Sequence, residues 1–119
     1  MRVIVSAGGT GGHIYPALAI INKIKEEEPN SEILYIGTHN RMEKDIVPKQ
    51  GIPFKSIEMY GFNRKKILKN FKTLSCLLKG ISECKKIIKE FKPDVVIGVG
   101  GYITVPVIYA ANKLGVKTF

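Results

Sequence analysis

The sequence is poor in the residues that make cross-links. It has two cysteines, Cys76 and Cys84, eight positions apart in a segment of helical pattern. At the helical rise their Cα atoms stand roughly 12 Å apart, beyond the ~7 Å limit for a disulfide. Neither has paired histidines nearby, which excludes a zinc site and leaves no metal expected. Nor is there an apolar run approaching the ~20 residues that cross a bilayer. Met1-Arg2 leads directly into an apolar strand, so no cleavable leader is expected and the chain is expected in the cytosol. Two nucleotide fingerprints are also missing. The pattern G-x-G-x-x-G fails because, counted from Gly9, its sixth position is Ile14. The second strand runs into Gly37-Thr38-His39 without an acid for a ribose, and no Gly-Lys-Ser/Thr completes a phosphate loop. A nicotinamide or ATP site is therefore disfavoured, and no cofactor is expected. Acidic residues are scarce in one region: residues 64–92 hold ten Lys/Arg against two Asp/Glu, whereas residues 1–63 balance seven against seven. That segment carries nearly all of the net charge of +9 and points to an anionic partner surface.

What is abundant is glycine, and four of the twelve lie in one stretch, Gly8-Gly9-Thr10-Gly11-Gly12-His13. Val3-Ile4-Val5-Ser6-Ala7 before it reads as a buried strand, and Pro16 after it reads as the opening of a helix to Glu28. Glycine carries no Cβ, so a ligand can approach the backbone itself. The helix start adds unpaired N–H groups and a partial positive charge, a setting that suits an anionic oxygen such as a phosphate. His13 is the titratable side chain at that mouth and the first candidate for proton transfer. The alternative is a helix-terminus histidine satisfied by a backbone carbonyl.

The remaining pattern alternates strand and helix. Strands are predicted at Ile33–Gly37, Phe54–Met59, Val95–Val99 and from Val116. Helices are predicted at Arg41–Gln50, over a long apolar periodicity ending at Phe91, and from Thr104 to Leu114. With 45% hydrophobic residues in a chain of 119 residues, this makes one α/β domain. Its sheet is mostly parallel, with helices on both faces. Gly100-Gly101-Tyr102 is a second glycine turn after a strand. Ligands of such sheets sit beyond the carboxyl ends of the strands, so both turns are expected at one site. In the basic segment, Arg64, Lys65, Lys66, Lys69 and Lys72 surround Ile67, Leu68, Phe71 and Leu74. This suits an anionic lipid surface; a solvated helix face is the plainer reading. Nucleic-acid binding ranks last, because neither a recognition-helix motif nor interleaved aromatics accompany the charge.

Gly8 to Ala17, together with Pro93 to Tyr102, Pro106, the Arg41 to Pro48 helix and the Gly51-Ile52-Pro53 turn, resembles the bacterial peptidoglycan glycosyltransferases that form lipid II. The resemblance covers the whole chain. It implies the N-terminal, acceptor-binding, Rossmann-like half of a GT-B fold spanning residues 1–119, with the donor-binding domain beyond the residues present. It implies an inverting transfer of N-acetylglucosamine from UDP-N-acetylglucosamine to the 4-hydroxyl of undecaprenyl-pyrophosphoryl-N-acetylmuramoyl-pentapeptide, with this half inactive alone. His13 and Tyr102 stand where that family has catalytic residues, His13 as a base or as an electrostatic group. Gly9, Thr10, Gly11, Gly12, Gly100 and Gly101 would bind the lipid-linked pyrophosphate acceptor, with UDP-N-acetylglucosamine held mainly by the other domain. Arg64 to Leu68, Lys69, Phe71 and Lys72 would dock the protein peripherally on the anionic cytoplasmic face of the membrane. A membrane-docking subunit that recruits a separate catalytic chain is the alternative.

Overall fold

The computed structural model describes residues 1–8, 11–38, 41–57, 71–101 and 103–119, without the side chains of residues 11, 12, 41, 42, 71–74 and 76. The elements alternate from the start: β1 (Arg2–Ala7), α1 (Gly11–Glu27), β2 (Glu32–Thr38), α2 (Arg41–Lys49) and β3 (Phe54–Ile57). There follow α3 (Phe71–Phe91), β4 (Val95–Gly100), α4 (Thr104–Lys113) and β5 (Lys117–Thr118). The strands form one parallel sheet in the order β3-β2-β1-β4-β5. The chain therefore walks outward from β1 to β3, then crosses back to β4 and continues the other way. The reversal falls between β1 and β4, where sheets of this kind open a crevice at their carboxyl edge.

Side-chain alternation along the strands supplies two cores. Val3, Val5 and Ala7 of β1 and Ile33 and Tyr35 of β2 face Ile14, Ala17, Leu18 and Ile21 of α1, with Val47 of α2. Ile4, Leu34, Ile36 and Val96 face the other way, onto Cys84 and Ile88 of α3 and Val107, Ala110 and Ala111 of α4. Each fully buried aliphatic side chain contributes about 1.5–3 kcal/mol. Apolar residues on both faces of every central strand are what a parallel sheet between two helical layers requires.

One boundary departs from expectation in a way that matters. The sequence predicts a helix opened by Pro16, but α1 begins at Gly11 and the proline is its sixth residue. The apolar face explains this. Ile14, at 1% exposure, extends the Ala17, Leu18 and Ile21 stripe back by a turn, and packing it into the sheet outweighs one absent hydrogen bond near the helix start. Gly11, Gly12 and His13 are thus the first three residues of α1, whose N–H groups have no partner within the helix. The periodicity ending at Phe91 is borne out by α3 from Phe71 onward.

The amino edge of the sheet is tied by side chains. Arg2 Nε donates to the Phe91 carbonyl at 2.8 Å, and its guanidinium lies 4.3 Å from the centre of the Phe91 ring. The same guanidinium pairs with Glu32, and the Arg2 backbone N–H donates to Asp94 Oδ2 at 2.8 Å.

Candidate functional site at the carboxyl edge

The two glycine turns meet. β1 and β4 run in register from Val3 opposite Val95 to Ser6 opposite Gly98, but Ala7 stands opposite Gly100. The extra residue in β4 is a bulge, which bends a strand and re-aims its end. Here it brings Gly100 beside the end of β1, where the Gly8 N–H donates to the Gly100 carbonyl at 3.3 Å. Gly100 and Gly101 have φ of +138° and +93°, a region that glycine reaches without strain. Space excludes a side chain as well: a methyl on Gly101 would overlap the Gly8 carbonyl oxygen. Thr104 closes the second turn, its N–H and its hydroxyl donating to the Gly101 carbonyl at 3.2 and 2.8 Å.

His13 reaches the same place from α1. Its half-buried ring lies over the bare backbone of Gly100, where a methyl would stand 2.6 Å from Nδ1 and 2.8 Å from Cε1. An imidazole, the N–H groups of the first turn of α1, which have no partner within the helix, and the backbone of Gly8, Gly100 and Gly101 therefore share one edge. Such a place can accept a proton and hold an anionic oxygen.

Among the expected site residues, His13, Gly100 and Gly101 come together, and Gly11 and Gly12 open α1. Gly9, Thr10 and Tyr102 lie outside the described residues, as do Arg64, Lys65, Lys66, Ile67, Leu68 and Lys69. The backbone of Phe71 and Lys72 opens α3, but their side chains are not described. Among the described residues no cluster of three His, Cys, Asp or Glu side chains is arranged to hold a metal ion. No described helix is long and apolar enough to cross a membrane.

Sequence reading missed Glu43. It is fully buried at the start of α2, and its Oε2 accepts from the Thr38 N–H at 2.5 Å and the Thr38 hydroxyl at 3.0 Å. Burial, and then the nearby Glu43 charge, push the Tyr35 phenol well above its ordinary value. A signal was available: Glu43 shares the inward stripe of α2 with Ile46 and Val47, and an acid on an apolar stripe is seldom there for solubility. On the far face of the sheet, burial and then Glu83 push the Cys84 thiol up to about 12, leaving it an inert core residue.

A parallel sheet whose order reverses between β1 and β4, with glycine turns on both sides of the reversal, is a Rossmann-like half, the unit from which GT-B glycosyltransferases are built. The glycosyltransferase family 28 N-terminal domain matches residues 3–119, and the chain belongs to that family. It is 60% identical over 118 residues to the UDP-N-acetylglucosamine--N-acetylmuramyl-(pentapeptide) pyrophosphoryl-undecaprenol N-acetylglucosamine transferase of Alkaliphilus oremlandii, covering 99% of this chain and 32% of that protein. The crystal structure of Acinetobacter baumannii MurG superposes with a TM-score of 0.83 at 29% identity, over 98% of this chain and 34% of that one. A UDP-GlcNAc 2-epimerase from Methanocaldococcus jannaschii superposes with a TM-score of 0.66 at 21% identity, covering 99% of this chain and 30% of that one, a likeness of fold alone. The chain thus spans about a third of the length of the relatives it matches.

Proposed function

We propose that this chain is the acceptor-binding third of a transferase like its Alkaliphilus relative. The complete protein moves N-acetylglucosamine from UDP-N-acetylglucosamine onto a lipid-linked N-acetylmuramoyl-pentapeptide in peptidoglycan synthesis. The observation that carries the reading is the meeting of Gly8 with Gly100 and Gly101 beneath the His13 ring. The acceptor pyrophosphate lies over the turns, met by the N–H groups of Gly11, Gly12 and His13. The acceptor's 4-hydroxyl then loses its proton as it attacks the anomeric carbon, and UDP leaves. His13 serves this step as base, with Tyr102, Gly9 and Thr10 completing the site. Residues 64–72, rich in lysine and apolar residues, hold the enzyme peripherally on the anionic cytoplasmic leaflet.

The test is transfer of labelled N-acetylglucosamine by the full-length protein that carries this chain. His13→Ala lowers kcat by about a hundredfold or more while the circular dichroism spectrum is kept; full activity in that variant overturns the role of His13. Binding to phosphatidylglycerol vesicles, weakened by salt and absent with phosphatidylcholine, tests the membrane surface. Equal binding to both vesicle types removes it.

A further inference from the structure

Burying a carboxylate is costly unless its oxygens are bonded, and Glu43 is the one buried acidic side chain among the described residues. It stands in the first turn of α2, where the helix end favours an anion. Its Oε2 holds the carboxyl end of β2 through the N–H and hydroxyl of Thr38. On its other side the carboxylate lies against Gly8, where a methyl would stand 2.5 Å from Oε1 and 2.9 Å from Oε2. A methyl on Gly37 would likewise overlap Oε2. Gly8 is also the residue through which the two turns meet: its N–H bonds Gly100, and its carbonyl lies against Gly101. Gly100 in turn faces the His13 ring. One buried side chain on α2 is therefore seated on the residue that joins both turns.

We infer that Glu43 is a positioning residue for the transfer reaction. It fixes Gly8 against the end of β2 and thereby sets the seat of the two glycine turns and of the His13 ring, touching no reacting group itself. The inference rests on the function proposed above. Glu43→Gln keeps the size of the side chain but replaces one accepting oxygen with a donor and removes the charge. Glu43→Asp keeps the charge but withdraws the carboxylate by one methylene from both Gly8 and Thr38.

The experiment measures steady-state transfer and the ¹H–¹⁵N resonances of the His13 imidazole in the full-length protein. Both variants are expected to lose about a hundredfold in kcat, with KM for UDP-N-acetylglucosamine unchanged and the His13 resonances displaced. Wild-type kcat with unmoved His13 resonances in the two variants overturns the inference. So does a fall in kcat that only follows the folded fraction, read from a urea transition. If the unsubstituted protein transfers nothing to a lipid-linked acceptor, the functional reading fails instead. Displacement of the His13 resonances by Glu43→Asp still judges the positioning separately.

Discussion

At the amino edge of the sheet, Arg2 reaches Phe91 and Glu32 with its side chain and Asp94 with its backbone. At the carboxyl edge of the same strand, Gly8 has no side chain, and its backbone meets the backbone of Gly100 and Gly101. The first edge adds long side chains that tolerate adjustment to its backbone bonds, Asp94 N–H to the Arg2 carbonyl and Glu32 N–H to the Met1 carbonyl. The second is joined by peptide groups in contact, the Gly8 N–H bonding the Gly100 carbonyl beneath the His13 ring. The Arg2 contacts and the site proposed for the chemistry thus lie at opposite ends of one sheet. A substitution at one end should disturb a different observable from a substitution at the other.

Gly101→Ala is the largest expected disturbance. Backbone strain at a φ of +93° costs about 1–3 kcal/mol, and the added methyl must also push away the Gly8 carbonyl. Transfer by the full-length protein should fall by about a hundredfold or more, far beyond the loss read from the urea midpoint. Arg2→Ala should show the reverse. Losing the bond to the Phe91 carbonyl and the ring contact lowers unfolding free energy by about 2 kcal/mol, and the exposed pair with Glu32 adds little. Its kcat should be that of the unsubstituted protein; a matching loss of kcat would erase the distinction between the edges. The smallest effect belongs to Cys84, which faces neither. Its folded-state pKa is raised from 9.0 to about 12. The stabilisation is full below pH 9 and is lost as pH rises towards the folded value, because only the unfolded thiol ionises there. Cys84→Ala should flatten that part of a stability-against-pH curve, and the native thiol should resist iodoacetamide until the protein unfolds.

The strand and helix order was legible because every central strand is apolar on both faces and each helix carries a stripe. The glycine turns were legible as a pair because each follows a strand. Three features were not. The start of α1 was hidden because Pro16 signals a first turn, while the burial of Ile14 that overrules it is a tertiary fact. The bulge at the end of β4 depends on pairing with β1, some ninety residues earlier, and leaves no local mark. Glu43 could be suspected from its place on the stripe of Ile46 and Val47, but its bonds to Thr38 and its seat against Gly8 are tertiary facts.

Strand β1 is made first and lies in the middle, flanked by β2 and by β4. At a synthesis rate of about 5–20 residues per second, β4 emerges on the order of ten seconds after β1. Throughout that interval one side of β1 is an open ladder of unpaired peptide groups, and the edge proposed to bind the acceptor exists only as its first half. A nascent chain of this kind is most exposed to wrong pairing while waiting for its fourth strand, so a pause in translation that holds β4 inside the ribosome should raise misfolding more than a pause after β4 has emerged.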